Sequence, residues 1–178
     1  MANIALLYMS LDGQTRTITE KLVALLSRPE HVVSMYSVAA LPKGFSLSQW
    51  DAVVLGCSVR YGKHHILFRQ FVEGHTEQLN AMTSFFFSVN LTARKPHRSK
   101  ASTNPYSIKY LKQTAWQPDA TDVFAGALEY SKYGFWDRLL IKCIMKMTDG
   151  PTRGEHKIEY TDWERVRQFS QKILQFTC

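Results

Sequence analysis

NIALLYMSLDGQT, residues 3–15, runs from an apolar stretch through a Ser/Gly/Thr turn into the start of a helical pattern. Ile4 to Met9 shows no alternation of apolar and polar residues, which is the signature of a strand buried on both faces. Beyond the turn, Ile18, Leu22, Leu25 and Leu26 recur at helical spacing. The unit repeats. Val32 to Tyr36, Ala52 to Gly56, Ser84 to Val89 and Asp122 to Gly126 are further short apolar, β-branched or aromatic runs. Between them, Leu67, Phe68, Phe71 and Val72 form a second helical stripe, and Asn104 with Pro105 reads as N-cap and first residue of a third helix. A last helix is expected from Thr161, with Thr161 and Glu164 spaced as a capping box and Trp163, Val166, Phe169 and Ile173 buried. Alternating β and α units predict an α/β fold with a doubly wound, five-stranded parallel sheet in the order 2-1-3-4-5.

The chain has 178 residues, 45% hydrophobic and 21% charged, in the range of one compact domain over residues 1–178. Cys57, Cys143 and Cys178 are widely separated and odd in number, so neither a disulfide framework nor a zinc site is expected. The start of the sequence lacks the basic leader and apolar core of a signal peptide, so a reducing cytosol is the expected compartment. No stretch approaches the roughly 20 apolar residues of a membrane-spanning helix, which leaves peripheral contact as the only expected mode. A net charge of +7 implies an anionic partner: a lipid surface, an acidic substrate or nucleic acid.

In doubly wound sheets ligands sit at the carboxyl ends of the strands, which selects three loops. In the first, Ser10, Leu11, Asp12, Gly13, Gln14 and Thr15 lead into a helix N-terminus, where free N–H groups and the helix dipole favour a phosphate. Gly13 allows close backbone approach, and Asp12 is out of place beside an anion unless it points away. An ordinary turn capped by Asp12 is the competing reading of that loop. The others are Cys57 to Lys63 and Ser88 to Arg94.

Taken together, SLDGQT (10–15), GCSVRYGKHH (56–65), FFFSVNLTARKP (85–96), AGALEYSKY (125–133), IKCIMKM (141–147) and YTDWE (160–164) resemble the bacterial flavodoxin-like menaquinone-dependent protoporphyrinogen IX dehydrogenases. The resemblance spans nearly the whole chain and implies the flavodoxin-like fold with FMN as cofactor. It places the FMN phosphate on the loop Ser10 to Thr15. It places the ring against Ser58, Val59, Arg60, Tyr61 and Gly62, and against Ser88, Val89, Asn90, Leu91, Ala93 and Arg94. The implied reaction is oxidation of protoporphyrinogen IX to protoporphyrin IX in heme biosynthesis, with menaquinone or ubiquinone taking the electrons. No metal is implied, and no protein nucleophile or general base stands out. The loop departs from the T-x-T-G-x-T form of carrier flavodoxins, and a carrier or quinone reductase is the alternative. A colourless membrane-binding module on the same fold is the second rival.

From Arg94 to Lys112 the chain carries Arg94, Lys95, Arg98, Lys100, Lys109 and Lys112 with no Asp or Glu. Arg60, Arg94 and Lys95 are the expected grips for the substrate's propionates, since arginine holds a carboxylate bidentately. No groove-reading motif accompanies the patch, so nucleic acid is not expected. His64, His65 and His97 lack metal-ligand company and read as surface or cap residues.

The connection at about 127–157 is longer than such folds normally need and reads as an inserted helical segment near the fifth strand. In it Trp136, Leu140, Cys143, Ile144 and Met147 share one helical face, opposite Arg138, Lys142 and Lys146. Such a basic amphipathic helix suits a membrane interface, and by the resemblance the segment forms part of the porphyrinogen pocket, the quinone entrance or both, predicting a peripheral protein on the anionic cytoplasmic side of the inner membrane. Packing on the protein's own core is the competing reading. Self-association stays open.

Overall fold

The computed structural model describes residues 2–128 and 158–177. Five strands, β1 (Ala2–Met9), β2 (His31–Ser37), β3 (Ala52–Arg60), β5 (Thr83–Val89) and β6 (Ala120–Phe124), form a parallel sheet. Their order is β2-β1-β3-β5-β6, the doubly wound order expected. The two-residue β4 (Lys63–His64) turns back antiparallel on the end of β3, and β7 (Ala127–Leu128) pairs antiparallel with β8 (Ile158–Glu159) in a separate ribbon.

Helices α1 (Gln14–Leu26) and α5 (Trp163–Thr177) cover one face; α2 (Ile66–Gly74), α3 (Thr76–Ala81) and α4 (Pro105–Gln113) cover the other. Side chains of β3 alternate between the two. Ala52 and Val54 join Ile18 and Leu22 of α1 and Phe169 of α5, whereas Val53, Leu55 and Cys57 join Phe68, Leu79 and Tyr110. Both sets are buried, which is why the strands read as unbroken apolar runs. The triple phenylalanine of β5 divides in the same way: Phe85 and Phe87 meet the edge of Phe169, and Phe86 meets Trp116. Gly56 makes room for this, since a Cβ there would lie 2.0 Å from the ring of its cross-strand partner Phe87.

Three local expectations change. Leu67 is 41% exposed, because α2 buries Phe68, Phe71 and Val72 and the apolar stripe is narrower than the sequence pattern. The last helix begins at Trp163, and its cap is Asp162, whose Oδ1 accepts from the N–H groups of Glu164 and Arg165. Thr161 is instead buried, its hydroxyl donating to the Ala125 carbonyl at 2.8 Å. Asn104 and Pro105 open α4 as expected, the Asn104 side chain accepting from Tyr106 and Ser107. The expected membrane or quinone residues Trp136, Arg138, Leu140, Lys142, Ile144, Lys146 and Met147 lie outside the described residues. Among the described residues no helix is long and apolar enough to cross a membrane.

Candidate functional site

The carboxyl ends of β1, β3 and β5 converge on a cavity of about 190 Å³. In the first loop Gly13 holds φ at +91°, a left-handed conformation that L side chains rarely adopt, and its N–H donates to Ser10 Oγ at 3.0 Å. A Cβ built on Gly13 would meet nothing within 4 Å, so the space before the α1 N-terminus is open. The first turn of α1 carries no acidic residue. Thr15 lines the cavity wall, and its Oγ1 is buried and without a hydrogen-bond partner. An unsatisfied buried hydroxyl costs about 1–3 kcal/mol, and an anion at this dipole end would remove that cost. Asp12 does not oppose the anion: it pairs with Arg60, Nη1 to Oδ1 at 3.4 Å. The Gln14 side chain is engaged elsewhere, donating to Glu159 at 2.8 Å and Thr161 at 2.9 Å and tying α1 to β8.

The second segment is a hairpin rather than the loop expected from Cys57 onward. Cys57 and Ser58 keep pairing with β5, and Arg60 pairs back with Lys63 across the two-residue turn Tyr61-Gly62. Both turn residues have positive φ, +51° and +76°, as a type I′ turn requires. Tyrosine is an unusual choice there and is 68% exposed, held above the cavity mouth with Arg60 5.6 Å from its ring centroid. Backbone strain at a bulky residue that also lines a cavity marks a side chain kept for what it contacts. Cys57 is buried, which pushes its thiol up to about 12 and removes it as a nucleophile.

In the third loop Asn90 and Thr92 reach the cavity, while their polar groups bond within the protein. Thr92 Oγ1 donates to Asn90 Oδ1 at 2.5 Å, and Asn104 Nδ2 donates to the same oxygen at 3.0 Å and to the Arg98 carbonyl at 2.9 Å. Ser88 is fully buried and bonds His64 Nε2 at 2.8 Å. The surface or cap role expected for His64 is therefore overturned: it is buried among Phe68, Phe86 and Tyr110. Burial, with Arg69 nearby, lowers its pKa to about 4, so it is neutral at pH 7. His65 caps α2, accepting from the Leu67 N–H, and His97 is exposed, both as expected.

The chain matches the flavodoxin domain model over residues 5–155. It is 41% identical over 175 residues to protoporphyrinogen IX dehydrogenase (quinone) of Escherichia coli strain K12, covering 97% of this chain and 94% of that one. The same-named protein of Leishmania major is 44% identical over 167 residues, 93% of this chain and 71% of the relative. The chain belongs to the protoporphyrinogen IX dehydrogenase family of flavodoxin-domain proteins. It is an oxidoreductase. Among solved structures, Bacillus cereus flavodoxin 1 superposes with a TM-score of 0.56 at 11% identity, covering 97% of both chains, which shows the shared fold.

In flavodoxin-like sheets the flavin binds where the strand order reverses, between β1 and β3, and the cavity lies there. Of the residues expected to hold cofactor, this dehydrogenase-family chain brings Ser10, Asp12, Gln14, Thr15, Ser58, Val59, Arg60, Tyr61, Gly62, Val89, Asn90 and Leu91 to the cavity. Gly13 shapes the turn without lining it, and Leu11 points away, 39% exposed. Ser88 and Ala93 are buried behind the wall. Arg94 does not line the cavity; its guanidinium donates to the Leu91 carbonyl at 3.0 Å and lies 5.9 Å from the Tyr160 ring. Lys95 does not line it either. The wall also contains Thr92, which lies within the expected loop Ser88 to Arg94 though not singled out there, and Tyr106, Gly126 and Ala127, none of them expected. Thr92 was legible as a hydroxyl inside a selected loop. Tyr106, on the first turn of α4, carried no local signal.

Proposed function

We propose that this chain is a quinone-dependent protoporphyrinogen IX dehydrogenase that works with FMN. The observation that carries the reading is the 41% identity across 97% of the chain to a relative bearing that name. The site supports it: the buried Thr15 hydroxyl without a partner, the open left-handed Gly13 turn and the α1 N-terminus suit the phosphate of FMN. When bound, FMN supplies the two-electron redox chemistry that none of these side chains offers. Tyr61, on its hairpin turn, and Tyr106 present aromatic surface to the flat rings of cofactor and substrate. Arg60, shared with Asp12, adds positive charge at the cavity edge. Protons leaving the porphyrinogen pass to water at the cavity mouth, since among the described residues no side chain lining it is an evident base.

The quinone partner, menaquinone or ubiquinone, dissolves in the membrane, so the protein works peripherally on the cytoplasmic side of the inner membrane. The basic amphipathic pattern Arg138, Lys142 and Lys146 supplies attraction to anionic lipid. Lys142→Glu with Lys146→Glu is expected to weaken binding to anionic liposomes while sparing FMN; unchanged lipid binding removes the membrane role of that segment.

The deciding experiment is anaerobic. FMN-loaded protein, protoporphyrinogen IX and a menaquinone analogue are mixed, and porphyrin fluorescence is followed against a protein-free control. Fluorescence that requires both protein and quinone is expected. A flavin that reduces and reoxidises with other donors but leaves porphyrinogen untouched would move the chain to the electron-carrier or quinone-reductase class.

A further inference from the structure

We propose that a second cleft, on the far side of Gly62 and Tyr106 from the flavin cavity, receives a carboxylate of the substrate through Lys63, Arg69 and Lys109. This inference rests on the function proposed above and names a site that neither the loop motifs nor the basic 94–112 patch pointed to as a unit.

The cleft has a volume of about 240 Å³. Three cations, Lys63, Arg69 and Lys109, line it, and no Asp or Glu does. The nearest carboxylate to Arg69 is Glu73, at 4.0 Å and 66% exposed, a geometry that contributes little. Among the described residues neither Lys63 nor Lys109 has an ion-pair partner, so two of the three positive charges are uncompensated. Tyr110 and His64 also line the cleft, and both are nearly fully buried. The Tyr110 hydroxyl has no partner of hydrogen-bond geometry, although Thr114 stands close enough to act on its titration. Burial keeps that phenol protonated, which makes it a neutral donor for an anion entering between the lysines.

The occupant follows from what separates the two sites. Gly62 and Tyr106 belong to both walls, and the Tyr106 ring lies 3.6 Å from where a Gly62 Cβ would be. One glycine and one tyrosine ring therefore divide the place for a flat redox partner from a cationic cleft. Across the hairpin Arg60 pairs with Lys63, Arg60 lining the flavin side and Lys63 the other. A planar macrocycle carrying two acidic side arms on one edge matches this arrangement: ring against the tyrosines, one arm towards Arg60, the other into the cleft. Lys63 leaves the short hairpin and Lys109 leaves α4, so both charges stand on ordered elements rather than on a loose loop.

The test uses full-length, FMN-loaded protein and two stable probes, protoporphyrin IX and its dimethyl ester, which differ only in the carboxylate charges. Wild type is expected to bind the diacid about tenfold more tightly than the diester, the size two partly exposed charge contacts can produce. Lys63→Gln with Lys109→Gln should cut that preference at least about threefold and raise KM for protoporphyrinogen IX by a similar factor, with FMN affinity unchanged; the remainder is the contribution of Arg60 and Arg69. Lys112→Gln, on the same helix but outside the cleft, should change neither. Equal binding of diacid and diester by wild type, or a preference that is undiminished in the double variant, overturns the proposal. The preference is measured by binding alone, so it decides the cleft even where turnover fails, and failed turnover counts against the dehydrogenase reading instead.

Discussion

At the carboxyl end of β1 the Thr15 hydroxyl is buried with no partner and the Gly13 turn faces open space, whereas at the carboxyl end of β5 Asn90, Thr92 and Asn104 bond one another. Both loops are rich in small polar residues and both border the same cavity. The first loop engages Ser10, Asp12 and Gln14 internally but leaves the Thr15 hydroxyl open, whereas the second closes its polar groups on one another. Polarity of a loop thus says little about ligand contact until its internal bonds are counted.

The contrast can be broken most severely by acid. His64 ties β4 to the β5 end through Ser88, and in the folded chain its pKa lies near 4 instead of the usual 6.5. The folded state therefore binds fewer protons than the unfolded chain, so stability present above pH 6.5 is lost as pH falls towards 4. The shift corresponds to about 3 kcal/mol, and urea unfolding from pH 7 to 4.5 should show this slope in wild type but not in His64→Gln. The wall loop itself is tested by Asn104→Ala, which removes the α4 cap and leaves Asn90 Oδ1 and the Arg98 carbonyl short of a donor. About 2 kcal/mol of stability should be lost in chemical denaturation, and a loss below 0.5 kcal/mol would mean that the wall is not held by this network.

Thr15→Ala sharpens the opposite side. Its hydroxyl makes no bond to lose, so stability should stay within about 0.5 kcal/mol, while the dissociation constant for FMN, read by flavin fluorescence quenching, rises about tenfold. Equal loss of stability and affinity would place Thr15 with the wall residues. Smallest of all, Tyr61→Asn puts a residue that tolerates left-handed φ into the hairpin turn. Thermal unfolding should show a gain of about 0.5 kcal/mol, with FMN affinity falling several-fold as the aromatic contact is removed. A variant both less stable and unaltered in FMN binding would remove the cavity role of Tyr61.

How much was legible depended on whether a signal was local. Unbroken apolar runs such as Ala52 to Gly56 show burial on both faces, and with alternating helices they led to the strand order found. Ser10 to Thr15 was legible because turn, glycine and helix start are contiguous. Thr161 was misread because its spacing to Glu164 fits a capping box, yet the Ala125 carbonyl and Gln14, distant in sequence, claim its hydroxyl. His64 looked like a surface residue beside His65, and only the stacking of α2, α4 and β5 over it makes it core.

From its sequence by itself, this protein was determined to be a doubly wound α/β chain whose first strand leads through a Ser/Gly/Thr turn into a helix N-terminus, because hydrophobic period and turn chemistry act between near neighbours. Tertiary structure decided which polar groups remain available: Thr15 left open, Asn104 closed, Asp12 neutralised by Arg60, and Lys63 brought beside Lys109. Each of those outcomes depends on which distant side chain arrives at hydrogen-bond distance, and no spacing along the chain encodes that arrival.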